Sequence, residues 1–372
     1  MSDRRQGSAW IHTALAQRIL FGAGAVDRVA EVVKEAGGRR ALLVTTAGRI
    51  ESEAGERLVA KLGRTRASTY SGVRSHVPTT TVEAAVAQAR DDNVDCVVSF
   101  GGGSCADLGK AVCFFVEQRA GTPGVSFVDR PVLPHVAIPT TYSGAELTPF
   151  FGMTDDNTHR KSGAGGPTTA PIAVVYDPVL TLDTPVRVSA ETGMNALAHG
   201  VECAYSPRRT PEAEAVALAA IARIAEALPS VVDEPDDLDA RTRMLEGAVL
   251  AGRCLANGGV GVHHGLAQLV GGRTGMPHGL ANALILAHAV RFNADAVHMG
   301  NIGWALGDAD DAAGAIDRLR ERIGLPAHLS ECGMTEDDID AVVRMSAGSP
   351  TIANNPRPVS EDDARAILEA AF

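Results

Sequence analysis

The run Gly101-Gly102-Gly103-Ser104 constrains the chain more than any other, because of what flanks it. Before it stands Val94-Asp95-Cys96-Val97-Val98-Ser99-Phe100, which reads as a buried strand. After it, Cys105 to Val116 has the apolar spacing of a helix. A glycine turn from strand into helix lets the backbone come close to a ligand. It also aims the free N–H groups and positive dipole end of the helix at that ligand, which suits a pyrophosphate. Gly102, Gly103, Ser104 and Asp107 are therefore candidate cofactor-binding residues, with Ser104 expected as N-cap and Ser104-x-x-Asp107 as a capping box. The run is not G-x-G-x-x-G, so it differs from the usual dinucleotide fingerprint, and a plain tight turn with an ordinary cap is the alternative.

The surrounding pattern supports a parallel sheet. Ala41–Thr45, His135–Pro139 and Ile172–Tyr176 are further short apolar runs, and Val82–Arg90 has helical spacing. Strands separated by helices predict a mostly parallel sheet with helices on both faces. Past Asp177-Pro178 the chain turns Ala-rich and helical, with helices expected over Pro211–Ala227, Asp239–Leu255, Ala281–Arg291 and Glu361–Ala371. The expected fold is an α/β dinucleotide-binding domain over residues 1–179 followed by an all-helical domain over residues 180–372. Pro139-Thr140-Thr141-Tyr142-Ser143-Gly144-Ala145-Glu146 follows a strand. Its hydroxyls at the carboxyl edge of a parallel sheet make Thr140, Thr141 and Ser143 candidates for phosphate and ribose contacts.

Composition narrows the partners. The 372 residues are 45% hydrophobic and 21% charged, ordinary for a globular chain of about two domains. A net charge of -11 with no basic run argues against nucleic acid or an anionic membrane as partner. No signal-type apolar segment follows Met1, and no unbroken apolar run approaches the ~18 residues of a spanning helix. Cys96, Cys105, Cys113, Cys203, Cys254 and Cys332 are scattered with no CxxC pair, which fits reduced thiols in a cytoplasmic protein.

The chemistry-bearing residues lie in the second half. Asn195 and His199 are four apart and share a helix face, while His264 and His278 bracket the Gly-rich stretch Leu269–Gly275. Three histidines and a carboxylate would hold a divalent cation, but an amide stands in the fourth place. If a metal is present, His199, His264 and His278 are its ligands; the loss of a negative charge at Asn195 favours a site without metal. His263 forms a doublet with His264, and the two side chains diverge by about 100° on a helix.

Together these motifs resemble the iron-containing (group III) alcohol dehydrogenase family along nearly the whole chain. The matching pieces are Phe21–Gly24, the Gly101–Ser104 loop with Lys110, Pro139–Glu146, Tyr176-Asp177-Pro178, Asn195 with His199, His264, His278-Gly279, Gly324-Leu325-Pro326 and Asn355–Pro358. Within that family, Thr140–Pro149, Ser189–His199 with Asn195 in place of Asp, and the His263-His264 doublet resemble the maleylacetate reductase branch. Gly279-Leu280-Ala281-Asn282 is closer to the alcohol dehydrogenases, and Gln268 replaces a histidine common to both groups.

The resemblance implies metal-independent, NADH- or NADPH-dependent reduction of maleylacetate or a similar anionic oxo acid to a 3-oxoadipate-type product. It also implies a homodimer, Thr148 and Lys161 at the cofactor, and Thr46 where a ribose-binding Asp often stands, with Arg49 nearby or simply solvated. His199, His264, His263, His278 and Asn195 are the expected catalytic residues. Hydride transfer builds negative charge on oxygen, and histidines stabilise it by hydrogen bonding where no Lewis acid does so. The competing expectations are a metal-dependent alcohol dehydrogenase or aldehyde reductase, a dehydroquinate synthase-type lyase, and a non-catalytic binding protein of the same fold.

Overall fold

The computed structural model describes residues 9–121, 131–157 and 161–372. The strands are β1 (Arg18–Phe21), β2 (Ala41–Val44), β3 (Arg66–Tyr70), β4 (Cys96–Gly101), β5 (His135–Pro139), β6 (Phe150–Thr154), β7 (Lys161–Gly165) and β8 (Ala173–Tyr176). The helices of the first half are α1 (Val29–Glu35), α2 (Ala47–Ile50), α3 (Glu53–Leu62), α4 (Thr79–Asp91) and α5 (Gly103–Arg119). Those of the second half are α6 (Val186–Tyr205), α7 (Pro211–Asp233), α8 (Leu238–Gly258), α9 (Val262–Thr274), α10 (His278–Asn293), α11 (Gly300–Ala305), α12 (Ala312–Arg322), α13 (Glu336–Ser346) and α14 (Glu361–Ala371).

Six strands form one sheet in the order β1-β8-β5-β4-β2-β3, and every pairing in it is parallel. The inner strands β2, β4, β5 and β8 are buried along their whole length, which is why they read as unbroken apolar runs. Alternate residues go to opposite faces. Leu43 and Val98 pack with Val29, Val32, Leu58 and Leu62, whereas Leu42, Val44 and Val97 pack with Val82, Val86, Leu108 and Val112. The parallel α/β expectation is met. The sequence pattern passes over β1 and β3 because both are edge strands of half-exposed, partly polar residues. The hairpin β6–β7 lies apart from the sheet as an antiparallel pair.

The topology places a crevice. From β2 the chain moves outward to β3, and from β4 it moves the other way to β5. The connections part at the carboxyl ends of β2 and β4, the position where open α/β sheets receive ligands.

Beyond Pro185 the described residues form helices and turns only, and most of their buried apolar residues join one core cluster. α7 is the one described helix long and apolar enough to cross a bilayer, so no uninterrupted apolar run was needed to produce such a segment. Here it packs between α6 and α8 through Ala213, Ala217, Ala220, Ile221, Ile224 and Leu228. It runs past Pro229 to Asp233, beyond the expected end at Ala227, because Leu228 and Val231 continue its buried face. The Gly-rich stretch after His264 is also helical. Within α9, a Cβ on Gly265 would lie 2.4 Å from Ile352 Cγ1, so the missing side chain makes room for a neighbour and does not break the helix.

His135 opens β5, fully buried, with Nε2 2.7 Å from Ser99 Oγ. Burial, aided by the Lys110 charge, pushes its pKa down to about 3 from 6.5. Below pH 6.5 the unfolded chain takes a proton that the fold refuses, so stability falls as pH drops from 6.5 towards about 3. Urea midpoints between pH 7 and 5 should show this loss. In His135→Leu the slope below pH 6 should be shallower by about 1.4 kcal/mol per pH unit.

Candidate active site

The turn out of β4 leaves a helix start open. Gly101 takes φ +140°, and a Cβ there would meet Cys105 Sγ at 2.6 Å. The N-cap of α5 is Gly102, and no side chain caps it. This corrects the expected Ser104 cap and capping box: Ser104 lies inside the first turn, and Asp107 Oδ1 instead pairs with Lys110 Nζ at 2.8 Å. The cap is glycine because the turn is crowded. Cβ atoms on Gly102 and Gly103 would come within 3.2 Å of Thr141 Cγ2 and 3.1 Å of Ser143 Oγ. The first-turn N–H groups of α5 therefore face the loop after β5, where the Thr140 and Thr141 hydroxyls are buried without a protein partner.

Lys110 ties this loop to α5. Completely buried, its Nζ donates to the Ala145 carbonyl (2.7 Å), the Phe150 carbonyl (2.5 Å) and Thr148 Oγ1 (3.1 Å). The Thr148 hydroxyl donates in turn to those two carbonyls. Thr148 thus helps to hold the loop that borders the start of α5. Thr46 likewise has a local task, since its hydroxyl accepts from the Arg49 amide as N-cap of α2. Arg49 is no solvated arginine. Its side chain is 15% exposed and lies over the Phe100 ring, with Nη2 donating to Thr184 Oγ1 at 3.4 Å. Lys161 opens β7, but its side chain lies outside the described residues.

α6, α9 and α10 bring the four histidines together. The His199 and His264 rings stack at 4.7 Å and 14°, His263 stands edge-on to His264 at 4.8 Å, and His278 lies 6.0 Å from His264. His199, His263 and His264 are buried, and His278 is half-buried at the first turn of α10. His199 Nδ1 and His264 Nε2 have no protein partner. Asn195 joins the group with both ends of its amide engaged: Oδ1 accepts from Asn282 Nδ2 at 2.8 Å, and Nδ2 donates to the Ser143 carbonyl at 3.4 Å. Gln268 is exposed one turn beyond His264.

Glu202 is the residue that motif reading missed. It sits three after His199 on α6, fully buried, and closes the amino end of α9, whose own N-cap Gly261 offers no side chain. Its oxygens accept from the amides of Gly261 (2.9 Å), His263 (3.2 Å) and His264 (3.2 Å), and from His264 Nδ1 at 2.5 Å. Asn355 Oδ1 accepts the Val262 amide at 3.3 Å. A buried helix start is thereby satisfied by side chains from two other elements. Burial raises the Glu202 pKa, but hydrogen bonds from His263 and His264 outweigh it and hold the carboxyl below its usual range. Burial holds His264 down against the pull of Glu202, and holds His199 well down with help from His264. Burial thus disfavours charge on both rings beside the carboxylate. The signal for Glu202 was the spacing His199-x-x-Glu202, which shares one helix face.

These donors do not suit a divalent cation as arranged. Asn195 Oδ1 is already occupied by an amide N–H. Glu202, His263 and His264 have ligand atoms within 4.8 Å of one another, but Glu202 spends its oxygens on the start of α9.

Lys110→Met would leave buried carbonyls and Asp107 without their cation. We predict a loss of about 3 kcal/mol in urea unfolding.

Comparison with known proteins identifies the family. The family described as iron-containing alcohol dehydrogenase matches residues 16–178, and the Fe-containing alcohol dehydrogenase family, C-terminal, matches residues 189–372. The chain is 34% identical over 363 residues to the maleylacetate reductase of Rhizobium sp. (strain MTP-10005), covering 98% of this chain and 97% of that protein. The crystal structure of maleylacetate reductase from Agrobacterium tumefaciens aligns with a TM-score of 0.86 and 33% identity over 98% of both chains. Sulfoacetaldehyde reductase from Bifidobacterium kashiwanohense, solved in complex with NAD+, aligns with a TM-score of 0.88 and 28% identity over 98% of both. The chain belongs to the iron-containing alcohol dehydrogenase family, on its maleylacetate reductase branch, and is an oxidoreductase.

Proposed function

We propose that the protein reduces maleylacetate, or a similar anionic oxo acid, with NADH or NADPH and without a bound metal. The observation that carries this reading is the amide at Asn195, spent on Asn282 and Ser143 beside two imidazoles with unpartnered nitrogens. The reductase relatives and the NAD+-bound relative support the reaction type and a nicotinamide cofactor. We read residues 1–179 as the dinucleotide-binding domain and residues 180–372 as the substrate domain, since the last sheet strand ends at Tyr176 and α6 begins at Val186. We read the working unit as a cytoplasmic homodimer.

The residues divide the work along the crevice. The open start of α5 at Gly102, Gly103 and Ser104 receives the pyrophosphate, since uncapped N–H groups and the helix dipole favour an anion there. Thr140, Thr141 and Ser143 border that turn and offer hydroxyls to the cofactor. When bound, the reduced nicotinamide supplies the hydride. Adding hydride to the carbon–carbon double bond of maleylacetate, at the carbon β to the ketone, would leave an enolate with its charge on the 4-oxo oxygen, and a proton taken from solvent at the α carbon would complete the 3-oxoadipate-type product. His199, His264 and His278 surround the place where that oxygen is received, and an imidazole N–H among them stabilises it by hydrogen bonding. Burial excludes water, which strengthens those hydrogen bonds.

The test is oxidation of NADH and NADPH, followed at their absorbance, with maleylacetate and with simple aldehydes, before and after dialysis against chelator. We expect turnover of maleylacetate that survives the chelator, with no stoichiometric metal by elemental analysis. A strict metal requirement, or turnover of simple aldehydes alone, would overturn the reading.

A further inference from the structure

We propose that Glu202 and His263 act as positioning residues that fix which nitrogen of His264 carries its hydrogen. His264 then meets the substrate as a hydrogen-bond acceptor, and His199 is left as the donor. This rests on reading the histidine cluster as the place that receives the substrate oxygen.

The assignment follows from groups whose roles are not adjustable. The Asn282 backbone carbonyl can only accept, and His263 Nε2 lies 2.9 Å from it, so that nitrogen carries a hydrogen. In a neutral His263 ring, Nδ1 is then bare. That Nδ1 faces His264 Nδ1 at 3.1 Å and has no hydrogen to offer it. The same His264 nitrogen lies 2.5 Å from Glu202 Oε2, which as a carboxylate can only accept. The Glu202 carboxylate thus requires the hydrogen on His264 Nδ1, and the bare His263 Nδ1 is compatible with it. The Glu202 carboxylate cannot turn away, because three amides at the start of α9 hold its oxygens.

The other side of the ring faces the site. His264 Nε2 is buried with no protein partner, beneath the stacked His199 ring and beside His278. In the neutral ring it presents a lone pair. A lone pair repels an oxygen that is gaining negative charge and attracts a hydroxyl hydrogen instead, from water or from an enol. His199 differs. No carboxylate contacts its ring among the described residues, and its Nδ1 lies beside Gly144, where a Cβ would come within 3.8 Å. Its N–H is free to point at the charged oxygen. The two stacked imidazoles therefore take opposite roles, and the source of the difference lies one layer below the substrate.

Two-bond 1H–15N spectra of the full chain labelled with 15N-histidine read the tautomers directly, with His264→Gln to assign the signals. We expect hydrogen on Nδ1 of His264 and on Nε2 of His263. Glu202→Gln can offer an N–H to His264 Nδ1, so it should move the hydrogen to Nε2. It should also lower kcat for maleylacetate about 10- to 100-fold while the KM for NADH changes little. Asn355→Ala weakens the same helix start without touching an imidazole; it should lower Tm and leave the tautomers unchanged. Hydrogen on His264 Nε2 in the unsubstituted protein would overturn the assignment. So would a folded Glu202→Gln protein with unaltered tautomer and kcat. The spectra need no substrate, so the tautomers are read whether or not maleylacetate is turned over.

Discussion

Gly144 and Gly252 hold the two halves of the molecule at backbone distance. A Cβ on Gly144 would lie 3.1 Å from Gly252 Cα, and one on Gly252 would lie 2.8 Å from Leu147 Cδ1. Gly144 also needs its freedom of conformation, since its φ is +72°. This contact sets the loop after β5 directly against α8 and beside His199. Were the halves a side chain further apart, the open start of α5 and the histidine cluster would face separate spaces. Thr184 completes the join: its hydroxyl donates to the Thr140 carbonyl and accepts from Arg49, and its own carbonyl accepts from the fully buried Arg241.

The same logic governs the polar interior. A helix start cannot be buried with its amides unpaired, and α9 begins deep in the core. The Glu202 carboxylate answers that need and, with no further group, holds His264 at the site. Lys110 repeats the economy on the other side of the crevice, closing a loop of irregular backbone with one ammonium. In both places an ionised side chain is tolerated because every strong hydrogen-bonding position on it is matched.

Legibility followed burial and periodicity. Strands buried on both faces announce themselves as apolar runs, so β2, β4, β5 and β8 were readable, while the half-exposed edge strands β1 and β3 were not. Glycines serve two different ends. In the β4 turn they mark a close approach, but in α9 Gly265 only clears space for Ile352. Ser104 looked like a cap because its spacing to Asp107 is right, yet the N-cap is Gly102, two residues earlier, and Lys110 claims the carboxylate. Thr148 carries the right chemistry for a ligand contact and also helps to hold its own loop.

By itself the sequence determined the parallel sheet, the glycine turn that opens α5 and the set of histidines with Asn195 among them. Those follow from local pattern and residue chemistry. Only the tertiary structure decided what each polar atom faces. It engaged the Asn195 amide with Asn282, a partner 87 positions away, and placed Glu202 under His264. It also stacked His199 on His264 and left one nitrogen of each ring without a protein partner. Hydrogen-bond direction and ring orientation depend on groups brought together from distant segments, and no spacing within one segment encodes them.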